Sequence, residues 1–216
     1  MTTLVLIAKE PLPGRAKTRL HPPLTLEQAA RVAAACIDDT IAAIESVAAT
    51  RRILFFEGQD VPVSAAGFEV LAQPPGSLDE RLGWLFDYCT EPTVLVGMDT
   101  PQLTAAHLAP VFTRWTNDVD AWIGPASDGG FWCLGMRDPR GDLVRGIAMS
   151  RDDTGDSQLA RLESAGMRVG LLDQLMDVDV IADAITVAAG APNTRFAREL
   201  RSAMSTTPPP ARALEG

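Results

Sequence analysis

Residues 9–19 gather four cations, Lys9, Arg15, Lys17 and Arg19, in a stretch shaped by Pro11, Pro13 and Gly14. Of the 19 basic side chains in the chain, only Lys9 and Lys17 are lysines. Everywhere else positive charge is carried by arginine, so lysine in this loop reads as a chemical choice. A compact ammonium on a flexible stem can follow a phosphate as it moves, whereas a guanidinium is a fixed fork. Peptide N–H groups around Gly14 and at the helix expected to start near Thr25 add affinity for an anion. The alternative is a solvated loop neutralised by surface carboxylates, but a chain with a net charge of −9 has little other reason to concentrate cations here. The loop is not a P-loop, because Gly14 precedes Lys17-Thr18 without the earlier glycine that motif requires. The expected phosphate-binding set is Lys9, Pro11, Gly14, Arg15, Lys17, Thr18 and Arg19.

Four carboxylates are candidates for the opposing charge. Asp99 follows the apolar run 93–98 and would stand at the carboxyl end of a strand, where open α/β sheets bind their ligands. A carboxylate there suits magnesium (or manganese), a hard ion that takes one or two carboxylates together with substrate phosphates. Asp99 could instead close an Asx turn ahead of Pro101. Asp177-Val178-Asp179 offers two more carboxylates, read as facing alternate sides of an extended stretch, either of which could be the second metal ligand. Asp179 also stands where it could cap a following helix. Asp128-Gly129-Gly130 is a tight turn that would let backbone approach a substrate while Asp128 holds a hydroxyl. A plain hairpin turn accounts for it equally well.

The elements that must position these groups follow from periodicity. Strands are expected at 4–8, 53–56, 68–72, 93–98, 121–123, 131–135 and 168–172. The run 93–98 is apolar throughout, as a strand buried on both faces would be. Thr25-Leu26-Glu27-Gln28 and Ser77-Leu78-Asp79-Glu80 are capping boxes that open helices. The first helix carries apolar residues at i, i+3, i+4 spacing from Ala29 to Val47. Thr104 would cap a third helix, and further helices are expected at 158–165, ended by Gly166, and at 180–189 and 193–204. Strands alternating with helices give an α/β domain with a mostly parallel sheet over residues 1–204. The proline-rich segment 205–216 reads as a disordered tail.

Other chemistries fit poorly. Cys36, Cys89 and Cys133 are widely spaced in apolar surroundings and form no CxxC pair, so they read as reduced, buried thiols. His21 and His107 belong to no triad, and no G-x-S-x-G elbow is present. The acidic balance excludes nucleic acid as a main partner. No apolar stretch reaches the roughly 18 residues of a membrane span. Charged Lys9-Glu10 follow the first apolar run too soon for a signal peptide, so a cytoplasmic protein is expected. Trp122 and Trp132 could line an acceptor pocket, although strand tryptophans are more often core.

Four stretches resemble a family of bacterial GT-A-fold proteins of the DUF2064 type, described as glycosyltransferase-like and related to the nucleotidyltransferases of molybdenum-cofactor and deazaflavin biosynthesis. They are residues 8–20 (AKEPLPGRAKTRL), 97–101 (GMDTP), 124–130 (GPASDGG) and Asp177-Val178-Asp179, within a resemblance running from about residue 4 to 189. Gln102 stands where that family often has an acid. The resemblance implies a three-layer α/β/α sandwich with a mixed, mostly parallel sheet. It implies nucleotide phosphates on the first loop, a metal on Asp99, and a second ligand from Asp177 or Asp179. The expected activity is that of a metal-dependent transferase using a nucleotide-diphospho-sugar donor, with Lys17, Arg19 and Asp99 at the reacting phosphates. The alternatives are a nucleotidyltransferase that releases pyrophosphate from an NTP, and a non-catalytic nucleotide-binding protein. The partners are then a nucleotide or nucleotide-sugar and an acceptor.

Overall fold

Leu4, Leu6 and Ala8 alternate with Val5 and Ile7, so the first strand, β1 (Thr3–Lys9), feeds apolar side chains to both faces of a sheet. This protein is described by a computed structural model covering residues 2–113, 115 and 118–206. Seven strands form one sheet: β1, β2 (Arg51–Glu57), β3 (Glu69–Ala72), β4 (Thr93–Gly97), β5 (Ala121–Pro125), β6 (Phe131–Met136) and β7 (Val169–Leu171). Their order across the sheet is β3-β2-β1-β4-β6-β5-β7. Every pairing is parallel except those of β6, which runs antiparallel to both β4 and β5. The start of β6 therefore lies at the same edge of the sheet as the ends of β1, β4 and β5.

Helices cover both faces, which makes three layers. On one face α1 (Leu26–Glu45) and α3 (Ala105–Thr113) pack Ile37, Ile41, Ile44, Leu108 and Val111 against Leu4, Leu6, Leu54, Val94 and Val96. On the other, α2 (Leu78–Tyr88) and α4 (Thr154–Ser164) pack Leu82, Leu85, Phe86 and Leu162 against Val5, Ile53, Phe55 and Leu95. The last helices, α5 (Ile181–Gly190) and α6 (Arg195–Thr206), lie on the far side of α1 and bury Val187, Phe196 and Leu200 against Val32 and Cys36. Ser205 and Thr206 thus belong to a helix; residues 207–216 of the expected tail lie outside the described residues. No helix among the described residues is long and apolar enough to cross a membrane.

Local signals hold where their partners are local. Thr25 Oγ1 accepts from Gln28 N–H at 3.2 Å, and Gln28 Oε1 returns the bond to Thr25 N–H at 2.7 Å. At α2, Glu80 accepts from Ser77 N–H at 2.8 Å. Gly166 adopts φ +80° after α4, which the absence of a side chain makes cheap. His107, without an evident role in the sequence, receives the Thr104 N–H at 3.1 Å and so completes the start of α3. All three cysteines are free and buried.

Candidate active site

A cleft of about 710 Å³ opens at the carboxyl ends of β1 and β4. This is within the range of small-molecule sites. Its walls come from segments far apart in sequence: the 9–19 loop, Asp99, the 128–132 turn, the 149–152 loop, and Asp177 with Asp179. Lys9, Arg15, Lys17, Thr18 and Arg19 line it; Pro11 and Gly14 do not. Those two shape the turn behind the wall, Gly14 through φ +75°.

Lys17 behaves differently from its neighbours. Arg15, Thr18 and Arg19 are exposed, but the Lys17 side chain is 5% exposed. Its backbone takes the left-handed conformation, φ 50° and ψ 36°, which is uncommon for a residue with a Cβ. The ammonium pairs with the Asp99 carboxylate, donates to the Val178 carbonyl and lies 3.9 Å from Asp179 Oδ1. Burial works to lower its pKa, but the carboxylates around it outweigh burial and leave it raised. Arg19 reaches Asp179 Oδ2 at 3.4 Å from a solvent-facing position.

The carboxylates converge more than extended-chain reasoning suggested. Asp177 and Asp179 both line the cleft, and it is Val178, fully buried, that turns away. The expectation of alternate sides was wrong because residues two apart in an extended stretch share a face. Asp179 does not cap α5. Asp183 Oδ2 accepts the N–H groups of Asp179 and Val180 at 3.2 and 3.0 Å, which frees the Asp179 carboxylate for the cleft. Burial, and then repulsion from Asp128 and Asp99, push the Asp177 carboxyl up to about 7, against the pull of Lys17.

Asp128 accepts from Gly130 N–H at 2.9 Å, so the turn is a hairpin link that still presents its carboxyl at the cleft. Gly129 has φ +89°, and a Cβ there would stand 1.9 Å from the Asp152 carbonyl oxygen. Glycine is required because the 149–152 loop lies against the turn.

Among the described residues, no three acidic, histidine or cysteine side chains stand close enough to form a ready-made metal centre. A magnesium-type ion does not need one, since it keeps waters and binds through one or two carboxylates plus phosphate oxygens. The residues present fit such an ion. Asp99 and Asp179 face the buried Lys17 ammonium, Asp128 and Asp177 line the same cleft, and Asp177 Oδ1 is buried with no hydrogen-bond partner. An orphaned carboxylate oxygen in an acidic cluster is a costly arrangement that a cation would relieve.

Residues 29–151 match the family described as "Uncharacterized protein conserved in bacteria (DUF2064)". The chain belongs to this family. Asp99 and the 128–130 turn of this DUF2064 chain lie within the matched residues, whereas the 9–19 loop and Asp177/Asp179 lie outside them. No curated protein matches the chain. Among solved structures, a candidate nucleotide-diphospho-sugar transferase from Desulfovibrio desulfuricans superposes with a TM-score of 0.79 at 23% identity, over 94% of this chain and 95% of that one. The 2-C-methyl-D-erythritol 4-phosphate cytidylyltransferase of Thermus thermophilus gives 0.52 at 15% identity, over 89% and 100%. Glucosyl-3-phosphoglycerate synthase of Mycobacterium tuberculosis, in complex with Mn2+, UDP and glucosyl-3-phosphoglycerate, gives 0.51 at 11%, over 95% and 79%. At these identities the likeness establishes the fold, that of the GT-A-like nucleotide-diphospho-sugar transferases.

The sequence of this DUF2064 chain drew attention to Trp132 and Gln102 but not to the contacts that fix them, and gave no sign of Gln73 or Arg81. Gln102 donates to Met176 O at 2.7 Å, and Val178 N–H donates to Asp99 O at 3.0 Å, so the segment bearing Asp177 is tied to the Asp99 loop. Gln73 fills the far wall, donating to Ala8 O and Phe55 O at 3.0 Å each and accepting from Arg81 at 2.8 Å. Arg81 also pairs with Glu57 at 2.8 Å. Trp132 is buried yet borders the cleft, its indole N–H donating to Asp173 O at 3.1 Å. Apart from Arg81–Gln73, eight residues apart, each is a polar contact across long sequence separation, with no local pattern to reveal it.

Proposed function

We propose that the protein is a metal-dependent transferase acting on a nucleotide-activated donor, with glycosyl transfer from a nucleotide-diphospho-sugar as the leading reaction. The observation that supports this best is the pairing, in one cleft, of a four-cation loop with Asp99, Asp128, Asp177 and Asp179, of which Asp177 has a buried, unpartnered oxygen. That arrangement suits a diphosphate bound between cationic side chains and a divalent ion. Magnesium or manganese held by Asp99, with Asp177 or Asp179, would supply charge neutralisation at the diphosphate as its bond to the sugar breaks. Lys9, Arg15 and Arg19 reach the same charge from the open side of the cleft, where preorganised cations stabilise a departing phosphate. Asp128 keeps its second oxygen available for a sugar or acceptor hydroxyl. The resemblance in fold to glucosyl-3-phosphoglycerate synthase in complex with Mn2+ and UDP is consistent with this reading.

Nucleotidyl transfer is the second reading. It is favoured by the lysine-bearing loop, which suits a departing pyrophosphate, and by the shared fold with a cytidylyltransferase. Thermal melting against NTPs, NDPs and NDP-sugars, with and without Mg2+, tests both. A ligand at 100 times its Kd stabilises by about 2.7 kcal/mol, a shift of several degrees for a domain of this size. A metal-dependent shift with an NDP-sugar and release of NDP supports the first reading; pyrophosphate release from an NTP supports the second. No shift with any nucleotide sinks both. Asp99→Ala should lower turnover on the order of 100-fold or more, and normal turnover would remove Asp99 from the site.

A further inference from the structure

A divalent cation and Lys17 compete for the same oxygens. The ammonium contacts the Asp99 carboxylate and the Val178 carbonyl and has Asp179 Oδ1 at 3.9 Å. These are hard oxygen donors, the kind that magnesium and manganese bind. Asp128 and Asp177 line the same cleft, so four carboxylates stand near two paired cations, Lys17 and Arg19. An unpaired buried oxygen beside an ion pair is costly. Here Asp177 Oδ1 has no partner, while Asp99 and Asp179 are each 42% exposed towards solvent. The ammonium therefore sits in a site that is under-neutralised and reachable.

We propose that Lys17 is an exchangeable occupant of the cation position, displaced from Asp99 and the Val178 carbonyl when a divalent ion binds, and released towards the diphosphate. The left-handed backbone at Lys17 directs the side chain inward, and its four-carbon stem lets the ammonium leave by side-chain rotation alone. The exchange rests on the reading that Asp99 ligates a metal. It couples the two loading events: a metal frees the ammonium that a phosphate needs, and by linkage a phosphate that draws Lys17 away raises metal affinity by the same factor.

The chain has only two lysines, which makes a direct test practical. The wild-type protein is treated with limiting acetic anhydride across a Mg2+ titration without nucleotide, and acetylation at Lys9 and Lys17 is followed by peptide mass spectrometry. Lys9 is exposed and serves as the internal reference. Lys17 should be protected without metal and should react about tenfold faster relative to Lys9 once Mg2+ saturates, a typical coupling strength. A Lys17 rate that is flat across the whole titration overturns the proposal. In a second measurement, free Mn2+ is counted by electron paramagnetic resonance. Lys17→Met should bind Mn2+ about tenfold more tightly than Arg19→Met, which removes equal charge beside Asp179 but vacates no cation position. Equal affinities for the two variants also overturn it. If Lys17→Met does not fold, the wild-type acetylation series still decides. Neither readout depends on turnover, so a protein that exchanges Lys17 for Mg2+ yet transfers nothing would keep this inference and sink the proposed function.

Discussion

Asp177 is the residue at which the electrostatics of the cleft is most uneven. Its carboxyl is buried among like charges and is pushed up to about 7. Between the ordinary carboxylate range, near pH 4, and pH 7, the folded protein holds a proton that the unfolded chain has released. Stability therefore falls as pH rises through that window, by at most about 1.4 kcal/mol per unit. Asp177→Asn removes the dependence. The variant should match wild type near pH 4 and become progressively the more stable of the two as pH rises to 7, in buffers without divalent ions. Where Asp177 rather than Asp179 is the second ligand, added Mg2+ should narrow the gap by stabilising the wild type more than the variant. Melting curves at pH 5 and pH 8 check this, and parallel behaviour at the two values would show that burial and acidic neighbours do not hold the proton on Asp177. The sequence picked out Asp177 by its type and its DVD context, and Lys17 by its rarity. Neither observation reveals that Lys17 turns inward or that Asp177 lacks a partner, because both depend on what a distant segment brings alongside.

The connecting turns carry the clearest demands at the level of elements. Gly129 and Gly146 both have positive φ, +89° and +82°, yet their surroundings differ. Nothing lies within 4 Å of a Cβ at 146, whereas a Cβ at 129 would meet the Asp152 backbone. Gly146→Ala should then cost only the left-handed penalty of about 1–2 kcal/mol. Gly129→Ala must also push the 149–152 loop away from the turn, so it should unfold at a clearly lower denaturant concentration and weaken substrate binding. Equal denaturation midpoints would mean the 149–152 loop yields freely. Helix starts at Thr25 and Ser77, strand β4, and the glycine stop after α4 were legible because their signals are local and repeat at fixed spacing. The contacts of Gln102, Gln73 and Arg81 were not, since a glutamine or arginine acquires its partner only when strands pair. The start of α5 shows the same limit: Asp179 is the natural sequence candidate for the cap, but Asp183 one turn later holds the N–H groups.

The last two helices stand apart from the cleft and bear on the whole molecule. Phe196 is fully buried among α1, α5 and α6, and Gln28 of α1 donates to Ala203 O at 3.0 Å. Phe196→Ala should cost about 3–5 kcal/mol, as large-to-small changes in cores do. Phe196 does not itself line the cleft, so nucleotide-induced stabilisation should keep its size while the baseline melting temperature falls. Loss of the ligand shift in a folded Phe196→Ala protein would show that α1 transmits strain to the 9–19 loop. The resemblance implied a mixed, mostly parallel sheet, but the seven-strand order and the antiparallel β6 were not legible, since strand direction leaves no mark on residue type. That topology brings Lys17 against Val178, partners 161 residues apart. During synthesis the basic loop leaves the ribosome long before the segment that supplies Val178 and Asp179, and domains fold as their chain becomes available. A chain that ends before residue 178 thus carries Lys17 and Asp99 but lacks the carbonyl that anchors the ammonium. The cleft is therefore complete only in a chain translated nearly to the end of the described fold.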